Sequence, residues 1–182
     1  MIRYTTAQND QDLRQILDLQ QLNREIVLTQ ENISSQGFVT VSHDFETLKA
    51  MNQPYPHIIA KHKDQVIGYT LVMLREFGDK IPVLIPMFEM IESIEYQGEN
   101  LNNTNFFVMG QVCVASEFRG QGVFAGLYQE MKNLMAPHFK YIITEVALRN
   151  TRSMRAHEKV GFQNIYEYSS GGEDWAIILW EW

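Results

Sequence analysis

Val112-Cys113-Val114-Ala115-Ser116-Glu117-Phe118-Arg119-Gly120-Gln121-Gly122-Val123 is the stretch on which the fold of this chain turns. A β-branched run ends, a short loop follows, and a helix begins behind a pair of glycines. A helix start leaves N–H groups without intrahelical acceptors and carries partial positive charge, so it binds phosphate. Glycines let the backbone come close to a ligand, and Arg119 can add a charge-assisted hydrogen bond. A pyrophosphate-bearing cofactor is the natural ligand. The loop alone is also compatible with a plain glycine turn opening an ordinary helix. A Walker loop would end in Gly-Lys-Ser/Thr, and a dinucleotide loop would need a third glycine early in a βαβ unit; neither is present.

One helix and one strand later comes Glu145-Val146-Ala147-Leu148-Arg149-Asn150-Thr151-Arg152-Ser153-Met154-Arg155-Ala156-His157-Glu158-Lys159-Val160-Gly161-Phe162. Together the two blocks resemble the GNAT acyltransferase family: Arg-x-x-Gly at the loop, then Asn150, a helix, and a Glu-Lys-x-Gly-Phe ending. The resemblance covers Phe106 to Phe162 well. The strand Val66-Ile67-Gly68-Tyr69 and the β-α-α start are similar more loosely. It implies an α/β fold with a mixed, mostly antiparallel sheet, a splayed central strand pair and flanking helices. It also implies acetyl-coenzyme A as cofactor. The backbone of Val112, Cys113 and Val114 would pair with the pantetheine arm, which requires a free ladder edge. Arg119, Gly120, Gln121, Gly122, Val123 and Phe124 would hold the pyrophosphate. Asn150, Ser153 and His157, spaced to share one helix face, would line the thioester end. Two positions depart from the family pattern. Phe124 stands where a small residue is usual, and His157 stands where the family often has a tyrosine acid.

Working outward, the chain reads as β-α-α-β-β-(insert)-β-α-β-α-β-β. Ile2 to Thr5 is a short strand, and Asp10 to Ile26 has helical spacing, capped by Asn9 or Asp10, until Gln36-Gly37-Phe38 breaks it. A second helix runs from His43 or Asp44 to Met51. A hairpin follows, with strands His57–Lys61 and Val66–Leu74 around Lys63-Asp64-Gln65. The insert Arg75–Asn105 is irregular, then helical from about Met87 to Ile94. Strand Phe106–Val114, helix Val123–Met135, strand Tyr141–Leu148 and helix Thr151–Val160 come next. Two strands around Ser169-Ser170-Gly171-Gly172 close the chain.

The 182 residues suit a single domain spanning 1–182. A net charge of −7 argues against a nucleic-acid partner, since such proteins cluster Lys and Arg to displace counterions. It suits a cationic amine substrate. No stretch approaches a membrane span and the start reads as neither signal nor transit peptide, so no membrane partner and a cytoplasmic location are expected. A single cysteine, Cys113, rules out an internal disulfide or a multi-cysteine metal site.

Acetyl transfer to an amine needs a neutral nucleophile, a polarised thioester carbonyl and a proton for the departing thiolate. The resemblance implies direct transfer in a ternary complex, with a strand N–H between Val112 and Val114 polarising the carbonyl. His157 is the candidate acid, because an imidazolium near pKa ~6.5 protonates a thiolate near ~8.5 downhill; the alternative is a histidine that only packs or bonds the cofactor. Glu145 shares a strand face with Ile143 and Ala147 and is the candidate base, weighed against an ion pair with Arg149. Gln111 cannot titrate, and His57 and Tyr69 stay open. Cys113 as an acetylated nucleophile lacks a visible activating pair. The insert carries Glu89, Glu92 and Glu95 at helical spacing, which reads either as a substrate lid or as a solvated face. Trp175, Trp180 and Trp182 read as core or as the interface of a homodimer. The leading expectation is an N-acetyltransferase acting on a small-molecule amine or amino-acid-like substrate. Protein or peptide N-terminal acetylation and a non-catalytic acetyl-coenzyme A-binding module are the alternatives.

Overall fold

The computed structural model describes residues 1–24 and 39–182. The first helix ends at Leu22, short of the expected Ile26, and the expected break at Gln36–Phe38 lies outside the described residues. The strands are β1 (Ile2–Thr6), β2 (Ile58–His62), β3 (Gln65–Met73), β4 (Glu95–Tyr96), β5 (Glu99–Asn100), β6 (Phe106–Val114), β7 (Tyr141–Ala147), β8 (Gln163–Ser170) and β9 (Glu173–Glu181). The helices are α1 (Asp10–Leu22), α2 (Phe45–Asn52), α3 (Ile85–Ser93), α4 (Val123–Met135) and α5 (Thr151–Val160). The chain forms two compact units, Met1–Val72 with Met109–Leu134, and Met73–Val108 with Met135–Trp182. No described helix is long and apolar enough to cross a membrane.

In the first unit the strands lie in the order β1-β2-β3-β6. Antiparallel register places Tyr4 opposite Ala60 and Ala60 opposite Gly68, so these three residues share one face. Helix α4 covers that face, with Gly126 of the helix against the Tyr4 ring and Gly68 of the sheet beneath Val123 and Leu127. A Cβ on Gly68 would sit 3.2 Å from Leu127 Cδ1 and 3.3 Å from Val123 Cγ1. Thr5, Ile59 and Tyr69 point the other way, toward α1. That helix starts at Asn9, whose side chain accepts from the Asp12 N–H, and it ends at Asn23, whose Nδ2 donates back to the Leu19 carbonyl at 2.8 Å. Asp12 is buried in its first turn and is met by the Lys61 ammonium at 2.5 Å.

In the second unit the order is β6-β7-β9-β8, with β6 contributing Phe106–Val108. The parallel ladder between β6 and β7 runs from Phe106 opposite Tyr141 to Val108 opposite Ile143. The other pairings in this unit are antiparallel, so the sheet is mixed and mostly antiparallel. Phe107, Ile142 and Trp180 share a face by register, and Trp182 packs its ring 5.8 Å from that of Phe107. Trp180 and Trp182 thus line this packed face, with Trp182 Nε1 also donating to the Phe139 carbonyl at 2.9 Å, while Trp175 rises from the other face of β9, opposite Ala147. The insert holds α3 and a β4–β5 hairpin that the sequence reading did not anticipate. Arg75 ties it together by pairing with Glu92 at 3.0 Å, bonding the Asn102 carbonyl and stacking over Phe106. Glu89, Glu92 and Glu95 are all exposed, while Met87, Phe88 and Ile91 are buried, the pattern of a solvated helix face.

Helix α5 ends at Gly161, where φ is +126° and a Cβ would lie 2.7 Å from Trp180 Nε1. Both the backbone and the contact demand glycine. Gly161→Ala is therefore expected to cost about 1–3 kcal/mol of stability, read as a lower urea midpoint with unchanged slope. A midpoint within error of the parent would refute this.

Candidate active site

The loop after β6 is set by local geometry on both sides. The Ala115 N–H bonds the Ile67 carbonyl at 2.8 Å, closing the ladder with β3. Gly120 and Gly122 then adopt φ of +76° and +81°, and a Cβ at either would meet nothing within 4 Å. The chain can make this turn cheaply only with glycine, and the space above it is open. Gly126 N–H to the Gly122 carbonyl is the first intrahelical bond of α4, so the N–H groups of the preceding turn point out of the helix end. Val123 is buried against the sheet and anchors that end. The Phe124 ring lies 5.0 Å from that of Tyr128, one turn along, so its bulk runs down the helix away from the loop. The departure at Phe124 thus leaves the backbone of the loop uncovered.

Arg119 has partners inside the protein as well. Its Nε donates to the Val114 carbonyl at 2.9 Å and its Nη2 to Asn23 Oδ1 at 2.5 Å. The guanidinium braces the end of β6 against the end of α1. Gln121 donates to the Glu117 carbonyl at 2.8 Å.

On β6, Val112 is half-buried while Cys113 and Val114 are buried. Burial pushes the Cys113 thiol up to about 12, with Arg119 opposing it, so no thiolate forms at neutral pH. A nucleophilic role has no support. Gln111 anchors a buried, uncharged network: its Oε1 accepts from Tyr69 Oη at 2.6 Å and from Gln20 Nε2 at 2.8 Å, and its Nε2 donates to the Val41 carbonyl. Gln20 Oε1 in turn accepts the His43 N–H at 3.0 Å. Burial raises Tyr69 well above its usual range, so this tyrosine stays a donor. Gln20 and His43 escaped the sequence reading because only the packing of α1 brings them to Gln111.

In the second unit Asn150 caps α5, its side chain accepting the Ser153 N–H at 3.3 Å. His157 follows one turn later and is 1% exposed, its ring 5.1 Å from and edge-on to Phe162. His157 Nδ1 lies 2.8 Å from the Ser153 carbonyl. A carbonyl only accepts, so Nδ1 carries the proton and the neutral ring offers Nε2 as an acceptor. Burial lowers its pKa to about 4, with the Ser153 carbonyl opposing. At neutral pH this geometry supplies no proton from Nε2, which favours a packing role over the acid role.

Glu145 lies on the opposite face of the same sheet. It stands opposite Ile177, whereas His157 reaches the Ile142 and Trp180 face through Phe162. The two candidates do not share one face. Nor does Glu145 pair with Arg149, which bonds Glu173 at 2.5 Å. Its partner is Tyr168, whose Oη donates to Oε2 at 2.6 Å. Burial raises the Glu145 pKa, and the Tyr168 hydrogen bond partly offsets this.

A model of the acetyltransferase (GNAT) family matches residues 19–162. No curated protein matches the chain. Among solved structures, the NatC complex bound to Gag peptide and CoA matches with TM-score 0.66 at 14% identity, over 100% of this chain and 98% of that one. The ribosomal-protein-S18-alanine N-acetyltransferase from Escherichia coli matches with TM-score 0.64 at 11% identity, over 100% and 94%. The yncA structure from Salmonella typhimurium with its cofactor acetyl-CoA matches with TM-score 0.63 at 14% identity, over 99% and 93%. Such identities speak for the fold alone. With the family model spanning most of the sequence, and with a glycine loop opening a helix behind a strand, the chain belongs to the acetyltransferase (GNAT) family.

Proposed function

We propose that the protein is an acetyl-coenzyme A-dependent N-acetyltransferase that moves an acetyl group directly to the amine of a small molecule or amino-acid-like substrate. The observation that carries this is the open cradle at Gly120 and Gly122, with positive φ, no neighbour within 4 Å of either Cβ, and a helix start directly behind. The first-turn N–H groups of α4 suit a pyrophosphate, and a Cβ in either glycine would intrude on it. The cofactor supplies an acetyl group activated as a thioester.

The chain's own residues bind and orient. Val114 and Ala115 face opposite ladder edges, since the Ala115 N–H bonds β3 and the Val114 carbonyl takes Arg119. By the two-residue period Val112 shares the Val114 edge, and its N–H is the group we assign to the thioester carbonyl. Glu145 is the base we assign, because a partly buried carboxylate with a raised pKa accepts a proton more readily than an exposed one. His157, neutral and internally bonded, holds the end of α5 together.

A peptide N-terminus is the second reading of the acceptor, favoured by the peptide-bound NatC complex and the S18-alanine N-acetyltransferase among the structural neighbours. Acetyl-coenzyme A at 100 times its Kd is expected to stabilise the protein by about 2.7 kcal/mol, raising Tm by roughly 5–10 °C. No shift at millimolar ligand would sink the cofactor reading. Thiol release across free amino acids, polyamines and short peptides with free N-termini then separates the acceptors. A stabilised protein that releases no thiol with any of them would be a binding module instead.

A further inference from the structure

The Glu145–Tyr168 pair has a geometry that the base reading alone does not use. Tyr168 stands opposite Trp175 on β9, and Glu145 stands opposite Ile177, so both side chains rise from the same face. Strand β9 lies between their strands, and neighbouring strands are about 4.8 Å apart, so the link spans roughly 10 Å of sheet. Of the common hydroxyl donors only tyrosine is long enough to bridge that distance to a glutamate. The bond lands on Oε2 alone.

We propose that Tyr168 is a positioning residue for acetyl transfer: it fixes the Glu145 carboxylate by one oxygen and turns Oε1 toward the acceptor's ammonium group. This rests on the reading of Glu145 as base. A carboxylate has lone pairs on both oxygens, and a donor clamped to one fixes the plane and direction of the other. The same bond favours the ionised form against the burial that opposes it, keeping the group able to accept a proton. One proton passes from the ammonium nitrogen to Oε1. The freed lone pair forms the N–C bond to the acetyl carbon, the C–S bond breaks, and the nitrogen's second proton passes through water to the departing thiolate, while Glu145 returns its own proton to solvent.

The groups facing Glu145 limit what else could set its titration. Ile143 and Ala147 flank it on its own strand, Ile177 and Trp175 lie beside it on β9, and Tyr166 joins Tyr168 on β8. Tyr141 rises from the same face of β7, with Tyr96 of the β4–β5 hairpin edge-on against it. The nearest charged groups by register are Arg149 and Glu173 at the strand ends, and they pair with each other. Tyr168 is therefore the hydrogen-bond donor that tunes this carboxylate.

The test is a carbon-detected titration of protein labelled with ¹³C at glutamate, with Glu145→Gln assigning the resonance. Tyr168→Phe keeps the ring and removes the hydroxyl, so the Glu145 midpoint is expected to rise by about one unit while acetyl-coenzyme A affinity changes less than twofold. With the panel amine that releases most thiol as probe, the acid limb of kcat/KM should move up by the same amount. An unmoved midpoint, or a fall in Tm without a midpoint shift, overturns the proposal and makes Tyr168 a tie between strands. If Glu145→Gln retains full kcat/KM, the base reading falls instead, and the positioning proposal with it. If Glu145→Gln loses activity but Tyr168→Phe leaves the acid limb in place, only the positioning proposal falls.

Discussion

Gly122→Val is expected to fold yet gain no thermal stability from acetyl-coenzyme A at concentrations that stabilise the parent by several degrees. The left-handed φ of +81° at this position costs a side chain about 1–2 kcal/mol, and valine, branched at Cβ, suffers most. That strain alone lowers Tm by only a few degrees. No atom lies within 4 Å of the added Cβ, so the fold makes room for it, and what it fills is the space above the start of α4. If that space is where the pyrophosphate rests, affinity should fall at least 100-fold. Gly172→Val is the control: its φ is also +81° and its Cβ also meets nothing, but it lies in the β8–β9 turn. It should share the loss of Tm and keep the ligand response. Calorimetric titration of both variants decides. Wild-type affinity in Gly122→Val would remove the loop from the cofactor site.

Much of this arrangement is legible in sequence because its punctuation is local. Gly122 before Val123, Asn150 before Thr151 and Gly161 after Val160 are start and stop signals that act within one turn, and the helices they bound match the expectation to the residue. The β4–β5 hairpin was missed for a different reason. Gln97 and Gly98 take φ of 53° and 82°, a tight turn of left-handed residues, but two-residue strands are too short to show alternation. The first helix stops at Leu22 because Asn23 folds back onto Leu19 and is held by Arg119, a partner far along the chain.

Site chemistry is less legible because it depends on register and on backbone carbonyls. Tyr168 meets Glu145 only because β8 shifts register between Asn164 and Tyr166. A one-residue slip would send it to the opposite face. The spacing of Ser153 and His157 foretold a shared helix face. That the histidine would spend its only proton on the Ser153 carbonyl follows from the helix backbone and not from residue identity.

Three buried histidines, His43, His57 and His157, are expected to make the protein acid-labile. His57 is fully enclosed, its Nδ1 accepting the Val72 N–H at 3.1 Å and its Nε2 facing the Leu48 carbonyl at 3.1 Å. Protonation would set a second N–H against that of Val72. Burial, ahead of the opposing Leu48 bond, lowers its pKa to about 3, and burial lowers that of His157 to about 4. Unfolded, both rings titrate near ~6.5. Because the folded values lie below the unfolded ones, stability is full above pH ~6.5 and falls as acid protonates the unfolded chain first. The two protons of His57 and His157 alone correspond to roughly 2.7 kcal/mol per pH unit, so about 5 kcal/mol should be gone by pH ~4.5, comparable with the whole stability of many domains. Below about 4 the slope eases as folded His157 begins to titrate. Glu145 works in the opposite sense, since its raised pKa lets the folded state hold that proton more tightly. Burial also lowers the pKa of His43, which adds in the same sense, so urea unfolding from pH 7.5 to 4.5 should show a slope of about two protons or more, lowered by about one in either His57→Gln or His157→Gln. Each substitution also leaves backbone groups short of a partner, so it is the slope and not the level of stability that reads the histidines. A parent slope near zero between pH 6 and 5 would mean these rings are not held neutral by the fold.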